Sequence, residues 1–260
     1  MSDFFIDKNL YDVFEGMTSI SSIISSIENQ SSKRKIIKVL YNADKKKSKY
    51  NELKFLEIKS KEIGFELVGV SHNVIDEISN GKTHGGIIAV CSKVEIPALI
   101  SSNQISKDGF YIMLDGIEDP FNFAYALRSV YAAGADGIIV PTYRFDNAQG
   151  LICKGSAGTS EFIDIFQCDI LSAIDIFKSQ GYKVASAGIR DSVSLYDADL
   201  KKPLLLIVGG EKRGISSEVL SQSDMVVRVD YGKTFKGSLT ASSAATVLAF
   251  EVFRQNRQKR

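Results

Sequence analysis

The sequence predicts an α/β protein built from two domains, and three observations lead to this prediction. The chain has 260 residues, 44% of them hydrophobic, which is enough for one large core or two modest cores. Strand-like apolar runs alternate with segments of helical periodicity, as in a mainly parallel sheet with helices on both faces. Between residues 95 and 108 this periodicity stops in a stretch with several serines and a proline, which indicates a linker. We therefore predict domains at 1–94 and 109–260.

The first domain alternates short strands and helices. Apolar or alternating residues predict strands at 36–40, 65–70 and 86–90. Leucine and isoleucine recur at helical spacing over 51–63, and a shorter helix is predicted over 73–79. These elements predict a small α/β unit.

The second domain has a longer series of the same kind. Short apolar runs predict strands at 111–114, 137–140, 183–187, 204–208 and 225–229. Helical periodicity predicts helices over 121–133, 170–180 and 239–253. Pro120 directly precedes the first of these helices, and proline suits a helix beginning. The last helix is apolar nearly all round, so we expect it to be buried.

The charge of the chain is nearly balanced overall but uneven along its length. The formal net charge is +1, which by itself does not indicate a nucleic-acid partner. Residues 33–62 nevertheless contain eleven lysines and arginines against four acidic residues, a local net charge of +7. Such a patch is the usual electrostatic footprint of a phosphate-backbone ligand. A solvated helix face with a lysine-rich loop would have the same composition, and both interpretations stay open.

The cysteines and the apolar segments bear on the cellular compartment. Cys91, Cys153 and Cys168 are odd in number and form no CxxC motif, which argues against a disulfide scaffold or a zinc site. The longest aliphatic runs, such as 204–208, are too short to span a bilayer, and the first residues lack the pattern of a signal peptide. We expect a cytoplasmic protein with no membrane partner and no metal.

Three segments carry the chemistry. The first is Leu114-Asp-Gly-Ile-Glu-Asp-Pro-Phe-Asn-Phe-Ala-Tyr-Ala-Leu-Arg-Ser129, which places an asparagine and an arginine on one predicted helix. The second is Leu204-Leu-Leu-Ile-Val-Gly-Gly-Glu-Lys-Arg-Gly-Ile215, a strand that ends in a glycine-rich turn. The third is Gly237-Ser-Leu-Thr-Ala-Ser-Ser-Ala-Ala-Thr-Val-Leu-Ala-Phe-Glu251, a small-residue loop before the last helix. In this order the three resemble the motifs of the SpoU/TrmH family of RNA ribose 2′-O-methyltransferases, part of the SPOUT superfamily.

The resemblance implies a fold and partners that periodicity does not reveal. It implies that the second domain is a SPOUT α/β domain with a deep trefoil knot, which uses S-adenosylmethionine and pairs as a homodimer. Residues 14–24 and 82–90 resemble the start and end of the small α/β RNA-binding domain that precedes the catalytic domain in many of these enzymes. With that domain present, the resemblance favours ribosomal RNA as the substrate.

The resemblance also assigns roles to individual residues. It implies that the cofactor is bound by Ala187, Val208, Gly209, Gly210, Val229 and Leu239. It implies that the catalytic residues are Asn122, Arg128, Glu211, Ser238 and Thr240. The turn after 204–208, taken alone, would also suit an ordinary connection from a strand to a helix.

The chain departs from the family pattern in its third segment. Thr240 stands where the family usually has asparagine, and Val229-Asp230-Tyr231 stands where the family commonly has Ile-Pro-Met. A threonine keeps a hydroxyl but lacks the reach and the two donors of an amide. Three alternatives to rRNA methylation therefore stay open: a non-catalytic RNA-binding protein that retains the fold, a tRNA-directed 2′-O-methyltransferase, and a base methyltransferase. Asn122 and Arg128 argue against the last, because the pair marks the ribose-methylating branch.

Overall fold

The computed structural model describes residues 6–32, 34–81, 83–210, 214–234 and 236–257. The chain divides into two compact units. Unit 1 comprises Met1–Glu95 together with Phe145–Phe162, and unit 2 comprises Ile96–Arg144 together with Ile163–Arg260. In chain order the helices and strands are β1 (Tyr11–Glu15), α1 (Gly16–Glu28), β2 (Ile36–Asn42), α2 (Tyr50–Ile63), β3 (Glu66–Val70), α3 (His72–Ile78), β4 (Ile87–Ser92), β5 (Phe110–Leu114), α4 (Pro120–Ala132), β6 (Gly137–Val140), α5 (Gln149–Gly155), β7 (Asp164–Gln167), α6 (Ile170–Ser179), β8 (Lys183–Ala187), β9 (Val193–Ser194), β10 (Leu204–Val208), α7 (Ser217–Gln222), β11 (Met225–Arg228) and α8 (Ala241–Asn256).

Unit 1 is built on a mixed sheet with the strand order β1-β4-β2-β3. The strand β4 runs antiparallel to both β1 and β2, and β3 runs parallel to β2. Successive side chains of a strand point to opposite faces, and each face here has its own apolar cluster. One cluster joins the sheet to buried residues of α1, α2 and α5, and the other joins it to Ile75 and Ile78 of α3. The sheet is therefore covered by helices on both faces.

Unit 2 is built on a parallel sheet with the strand order β7-β6-β5-β10-β8-β11-β9. Each described pair of neighbouring strands runs parallel. The strand β10 comes late in the chain but lies between β5 and β8, and all five of its residues are buried. The prediction of a mainly parallel sheet is confirmed for this part of the chain.

The two faces of this sheet are covered by different helices. Side chains from α6 and α7 pack on one face, with Phe177 and Val219 in its buried cluster. On the other side α8 contacts both α4 and β10. Part of the stretch predicted as a linker at 95–108 also packs here, since Leu99 and Ile105 are buried in the same cluster as Phe177 and Val219. No helix in the described ranges has the length and apolar character needed to cross a bilayer.

Residues 145–162 follow β6 in the chain but pack inside unit 1. Close approach of α5 to β1 requires glycine, because a Cβ on Gly150 would lie 2.0 Å from the carbonyl oxygen of Val13. Buried ion pairs also join this segment to the rest of unit 1. Arg34 donates from Nε to Glu161 at 3.0 Å and from Nη1 to Asp12 at 2.9 Å. The domain predicted at 109–260 includes this segment, because nothing in its local pattern indicates which core it joins.

Candidate active site

The carboxyl ends of β8, β10 and β11 surround a cavity of about 600 Å³ in unit 2. Ligands of open α/β sheets commonly bind beyond the carboxyl ends of the strands, at a point where the strand order reverses. Here the chain runs outward from β5 to β7 and later returns to place β10 and β8 on the other side of β5. The cavity thus lies where parallel-sheet topology favours a binding site.

The glycine-rich turn after β10 forms one wall of the cavity. A Cβ on Gly209 would lie 2.6 Å from the backbone carbon of Gly214, and one on Gly210 would lie 2.7 Å from the carbonyl oxygen of Gly116. Any larger residue at either position would push the surrounding backbone apart. The turn therefore presents bare backbone to the cavity. Glu211 lies outside the described residues.

The loop after β5 is joined to the same strand end. The backbone N–H of Asp115 donates to the carbonyl oxygen of Val208 at 2.9 Å. Burial raises the pKa of the Asp115 carboxyl. The next residue, Gly116, has a φ of +71°, a backbone conformation that favours glycine. This loop leads directly into α4.

The helix α4 carries Asn122 and Arg128. It begins at Pro120, one residue before the predicted start at 121, and Asp119 caps it by accepting from the Asn122 backbone N–H at 2.8 Å. The Arg128 side chain is exposed, and within the described ranges its guanidinium makes no ion pair or hydrogen bond. Neither Asn122 nor Arg128 is among the described residues that line the cavity.

Arg228 and Asp230 form an ion pair in the wall of the cavity, and no role was predicted for either residue. Asp230 lines the cavity and accepts from Arg228 Nε at 2.8 Å and from the Ser194 hydroxyl. The Ser194 hydrogen bond and the Arg228 charge hold the pKa of the Asp230 carboxyl below its usual value. Arg228 also donates to the carbonyl oxygen of Ser192 at 2.6 Å. These bonds join the end of β11 and the residues after it to β9 and to the residue before β9.

The third segment of the sequence closes the cavity and begins α8. Leu239 and Ser238 line the cavity, and the Leu239 backbone N–H donates to the Tyr231 hydroxyl at 3.2 Å. Thr240 is the N-cap of α8, because its Oγ1 accepts from the Ser243 backbone N–H at 3.2 Å. The Thr240 hydroxyl therefore has a structural role at the start of the helix.

The cavity brings together most of the residues named from the sequence. All six residues assigned to the cofactor line it, and so does Ser238. The cavity is also lined by four residues for which no role was predicted: Gly188 and Ile189 after β8, and Arg228 and Asp230 around the end of β11. These residues are identified only by the strand order, in which β8 and β11 lie on the same side of β10. No local sequence pattern predicts that strand order.

A cluster of possible metal ligands lies in unit 1. The ligand atoms of His72, Asp76 and His84 lie within 4.8 Å of one another. The Gly86 backbone N–H donates to His84 Nδ1 at 3.0 Å, so this nitrogen carries no hydrogen. In a neutral ring Nε2 then carries the hydrogen, and it faces Asp76 at 2.8 Å. A metal would need the lone pair of that same Nε2, so the contacts fit a hydrogen-bonded cluster better than a metal site.

The part of the chain that forms the cavity matches a known protein family. Residues 109–250 match the model of the SpoU rRNA Methylase family, which is more than half of the chain. The 23S rRNA (guanosine-2′-O-)-methyltransferase RlmB of Shewanella oneidensis is 29% identical over 208 residues, covering 76% of this chain and 82% of that protein.

Two solved structures share the fold. The first is an AdoMet-bound rRNA methyltransferase from Sinorhizobium meliloti, at 21% identity and a TM-score of 0.77, covering 95% of this chain and 88% of that one. The second is the SpoU methyltransferase AviRb from Streptomyces viridochromogenes in complex with AdoMet, at 19% identity and a TM-score of 0.75, covering 96% and 93%. On the family match, this chain belongs to the SpoU family of RNA methyltransferases.

Proposed function

We propose that this protein transfers a methyl group from S-adenosylmethionine to a ribose 2′-hydroxyl of RNA, with ribosomal RNA as the substrate. Membership of the SpoU family identifies the enzyme class and its methyl donor. The observation that carries the proposal is the cavity at the carboxyl ends of β8, β10 and β11, which is lined by all six residues assigned to the cofactor. A relative that methylates the guanosine 2′-oxygen of 23S rRNA supports the choice of substrate.

The chemistry of the cavity fits the methyl donor. Its volume of about 600 Å³ lies within the range of small-molecule sites. Val208, Val229 and Leu248 supply apolar surface for a flat base, and the bare backbone at Gly209 and Gly210 supplies hydrogen-bonding groups. When bound, S-adenosylmethionine supplies a methyl group on a positively charged sulfonium, activated towards displacement by an oxygen nucleophile.

The chain's own residues have to orient the ribose and manage its proton. An arginine guanidinium stays protonated in proteins, so Arg128 is unsuited to act as a base. We assign it to holding the RNA and stabilising negative charge that develops on the 2′-oxygen. Its exposure and its lack of a partner among the described residues leave the charge available for that role. Asn122, Ser238, Thr240 and Glu211 are proposed to complete the site.

We propose that the two units have different functions. We assign substrate RNA binding to unit 1, which contains the basic part of the chain, and methyl transfer to unit 2. For unit 2 we also propose the deep trefoil knot of the SPOUT superfamily. The position of β10 between β5 and β8, both of which precede it in the chain, supports that proposal.

Unit 2 is further proposed to pair as a homodimer through α4 and α8. These helices pack side by side, and each carries exposed aromatic residues. Phe121 and Tyr125 of α4 are 46% and 51% exposed, and Phe250 and Phe253 of α8 are 44% and 45% exposed. Light scattering should give the mass of two chains at micromolar concentration, and Tyr125→Glu should lower it to one.

Methyl transfer from radiolabelled S-adenosylmethionine tests the proposed reaction. Purified enzyme is incubated separately with rRNA and tRNA from cells that lack the gene, and the products are digested to nucleosides. We expect label in 2′-O-methylated nucleosides of rRNA. Label in tRNA would change the substrate, and label on a base would refute ribose methylation. If S-adenosylhomocysteine binds but no RNA is labelled, the non-catalytic alternative is favoured.

A further inference from the structure

Three consecutive lysines lie exposed on the turn between β2 and α2 in unit 1. Within the described part of the chain, Lys45, Lys46 and Lys47 make no ion pair. Two other lysines of the basic stretch, Lys49 and Lys59, are paired, at 2.8 Å to Glu52 and at 2.6 Å to Glu28. The turn therefore concentrates positive charge that the protein itself does not neutralise, apart from the neighbouring Asp44. Such a concentration indicates an anionic partner.

The turn that carries these lysines has a defined shape. The Lys46 backbone N–H donates to the carbonyl oxygen of Ala43 at 3.2 Å, and the Lys49 backbone N–H donates to the carbonyl oxygen of Lys45 at 3.0 Å. Asn42 fixes the start of the turn, because its side chain accepts from the Asp44 N–H at 3.0 Å. A partner would bind a turn that is already folded, which lowers the entropy cost of binding.

The turn is also anchored to the loop before β4. The Asn42 backbone N–H donates to the carbonyl oxygen of Gly86 at 2.8 Å. The aliphatic stem of Lys45 lies over Gly86, where an added Cβ would be 3.3 Å from the lysine Cδ. Lys45 therefore packs its stem on the protein and leaves its ammonium group at the surface.

An exposed aromatic residue lies three positions after the last of these lysines. Tyr50 is the first residue of α2 and is 63% exposed. Burying this ring against another part of the chain would be favourable, so its exposure beside the lysines suggests a surface for a planar group. The amino end of α2, a helix of 14 residues, adds a partial positive charge at the same place.

We propose that Lys45, Lys46, Lys47 and Tyr50 form a docking surface for an unpaired segment of the substrate RNA. This inference rests on the proposed function. The lysines contact successive phosphates, and the Tyr50 ring stacks on a base that is free of its own helix. Phosphate contacts with base stacking on an aromatic ring are how proteins hold single-stranded RNA. A duplex offers the same phosphates, but its bases are already stacked on one another.

The lysines are tested through the salt dependence of binding. The full-length protein is titrated against an RNA hairpin with an eight-nucleotide loop, by fluorescence anisotropy at several salt concentrations. Replacing all three lysines by glutamine should reduce the slope of log K against log salt by about two, at about 0.7 per single-strand phosphate contact. Lys59→Gln removes a charge that is already paired and should leave the slope unchanged. An unchanged slope in the triple variant would overturn the proposal.

Tyr50 is tested through affinity for looped and fully paired RNA. Tyr50→Ala should weaken binding to the hairpin by roughly five- to a hundredfold, the usual effect of losing one stacked base. The salt slope should stay the same, and Tyr50→Phe should bind like the wild type because its ring still stacks. The matched control is Tyr196→Ala in unit 2, which removes a ring that is 61% exposed and should have no effect. No loss in Tyr50→Ala, or an equal loss with a fully paired duplex, would overturn the proposal.

A separate measurement distinguishes this inference from the proposed reaction. Binding of S-adenosylhomocysteine, measured by calorimetry, should be unchanged in every variant, because the cavity lies in unit 2. Urea denaturation followed by circular dichroism checks that unit 1 of each variant is folded. If the wild type methylates RNA and the lysine and Tyr50 variants do so with an unchanged KM, the docking surface is wrong and the reaction stands. If the wild type methylates nothing but the variants lose hairpin binding as described, the docking surface stands and the reaction is wrong.

Discussion

At the scale of single residues, Arg128 is an exposed arginine on which the proposed reaction depends. Its charge lies on the exposed face of α4 beside Tyr125, three residues earlier. An exposed arginine with no acidic partner among the described residues contributes little to folding, so its removal is expected to affect function more than stability.

Replacing Arg128 by alanine should separate binding from chemistry. We expect turnover on RNA to fall by roughly a hundredfold or more, because a preorganised electrostatic group is lost. Affinity for S-adenosylhomocysteine should be nearly unchanged, since Arg128 is not among the described residues that line the cavity. Calorimetry and single-turnover kinetics measure the two effects. Arg254→Ala is the control, because that arginine is already paired with Glu251 at 2.7 Å. An equal loss in both variants would contradict the assignment.

The cysteines give a second prediction at this scale. Burial raises the pKa of the Cys153 thiol to about 12 and raises that of Cys91 as well. The thiolate is the reactive form, so neither residue should react with iodoacetamide at pH 8 while the protein is folded. Mass spectrometry should find both thiols modified only after denaturant is added. Modification of the native protein at either cysteine would show that unit 1 opens readily.

At the scale of elements, the departure at Thr240 falls on a helix cap. The Thr240 hydroxyl caps the amino end of α8. Asparagine caps helices as well as or better than threonine. The family's usual asparagine could therefore replace Thr240 without disturbing the helix. This makes stability and activity separable at one position.

Substitutions at Thr240 test whether the departure weakens the enzyme. Thr240→Ala should cost about 1 kcal/mol of stability, because a Ser243 N–H loses its acceptor. Thr240→Asn should keep the stability of the wild type in urea denaturation. If the chain has drifted towards weak activity, the asparagine should raise methyl transfer. If neighbours such as Tyr231 and Gly237 have adapted to threonine, it should be neutral or harmful.

At the scale of the whole molecule, unit 1 is completed by a segment from later in the chain. Arg34 is 5% exposed and pairs with Asp12 of β1 and with Glu161 of residues 145–162. The guanidinium carbon of Arg34 also lies 4.5 Å from the centre of the Phe14 ring. Burial raises the pKa of the Asp12 carboxyl even with the guanidinium beside it, which shows how costly these charges would be without a partner.

Arg34→Met should therefore destabilise the protein strongly. The change leaves two buried carboxylates, Asp12 and Glu161, without their cation, and breaking a buried ion pair in this way costs roughly 3–5 kcal/mol. Urea denaturation followed by circular dichroism measures the loss. Lys59→Met removes the surface ion pairs of Lys59 with Glu28 and Glu62, and it should lower the stability much less. Equal effects of the two changes would contradict the structural role of Arg34.

Most elements with a clear period were predicted from the sequence. The helix from Pro120 and the apolar strand at 204–208 lie where they were expected. The helix α1 was missed, because serines such as Ser19 and Ser26 interrupt its apolar pattern although both are buried. The strands β7 and β9 were missed as well, since they span only Asp164–Gln167 and Val193–Ser194. Short elements carry too few residues for a period to be recognised.

The sequence by itself determined the α/β class, the glycine turn at Gly209 and Gly210, and the motifs that indicate the family. These depend on residues close together in the chain, where local periodicity and backbone freedom act directly. Only the tertiary structure decided that β10 lies between β5 and β8, that Asp230 lines the cavity, and that residues 145–162 belong to unit 1. Strand order and core membership come from burying surfaces that are distant in the chain. Many sequences with the same local patterns could satisfy that requirement in other ways.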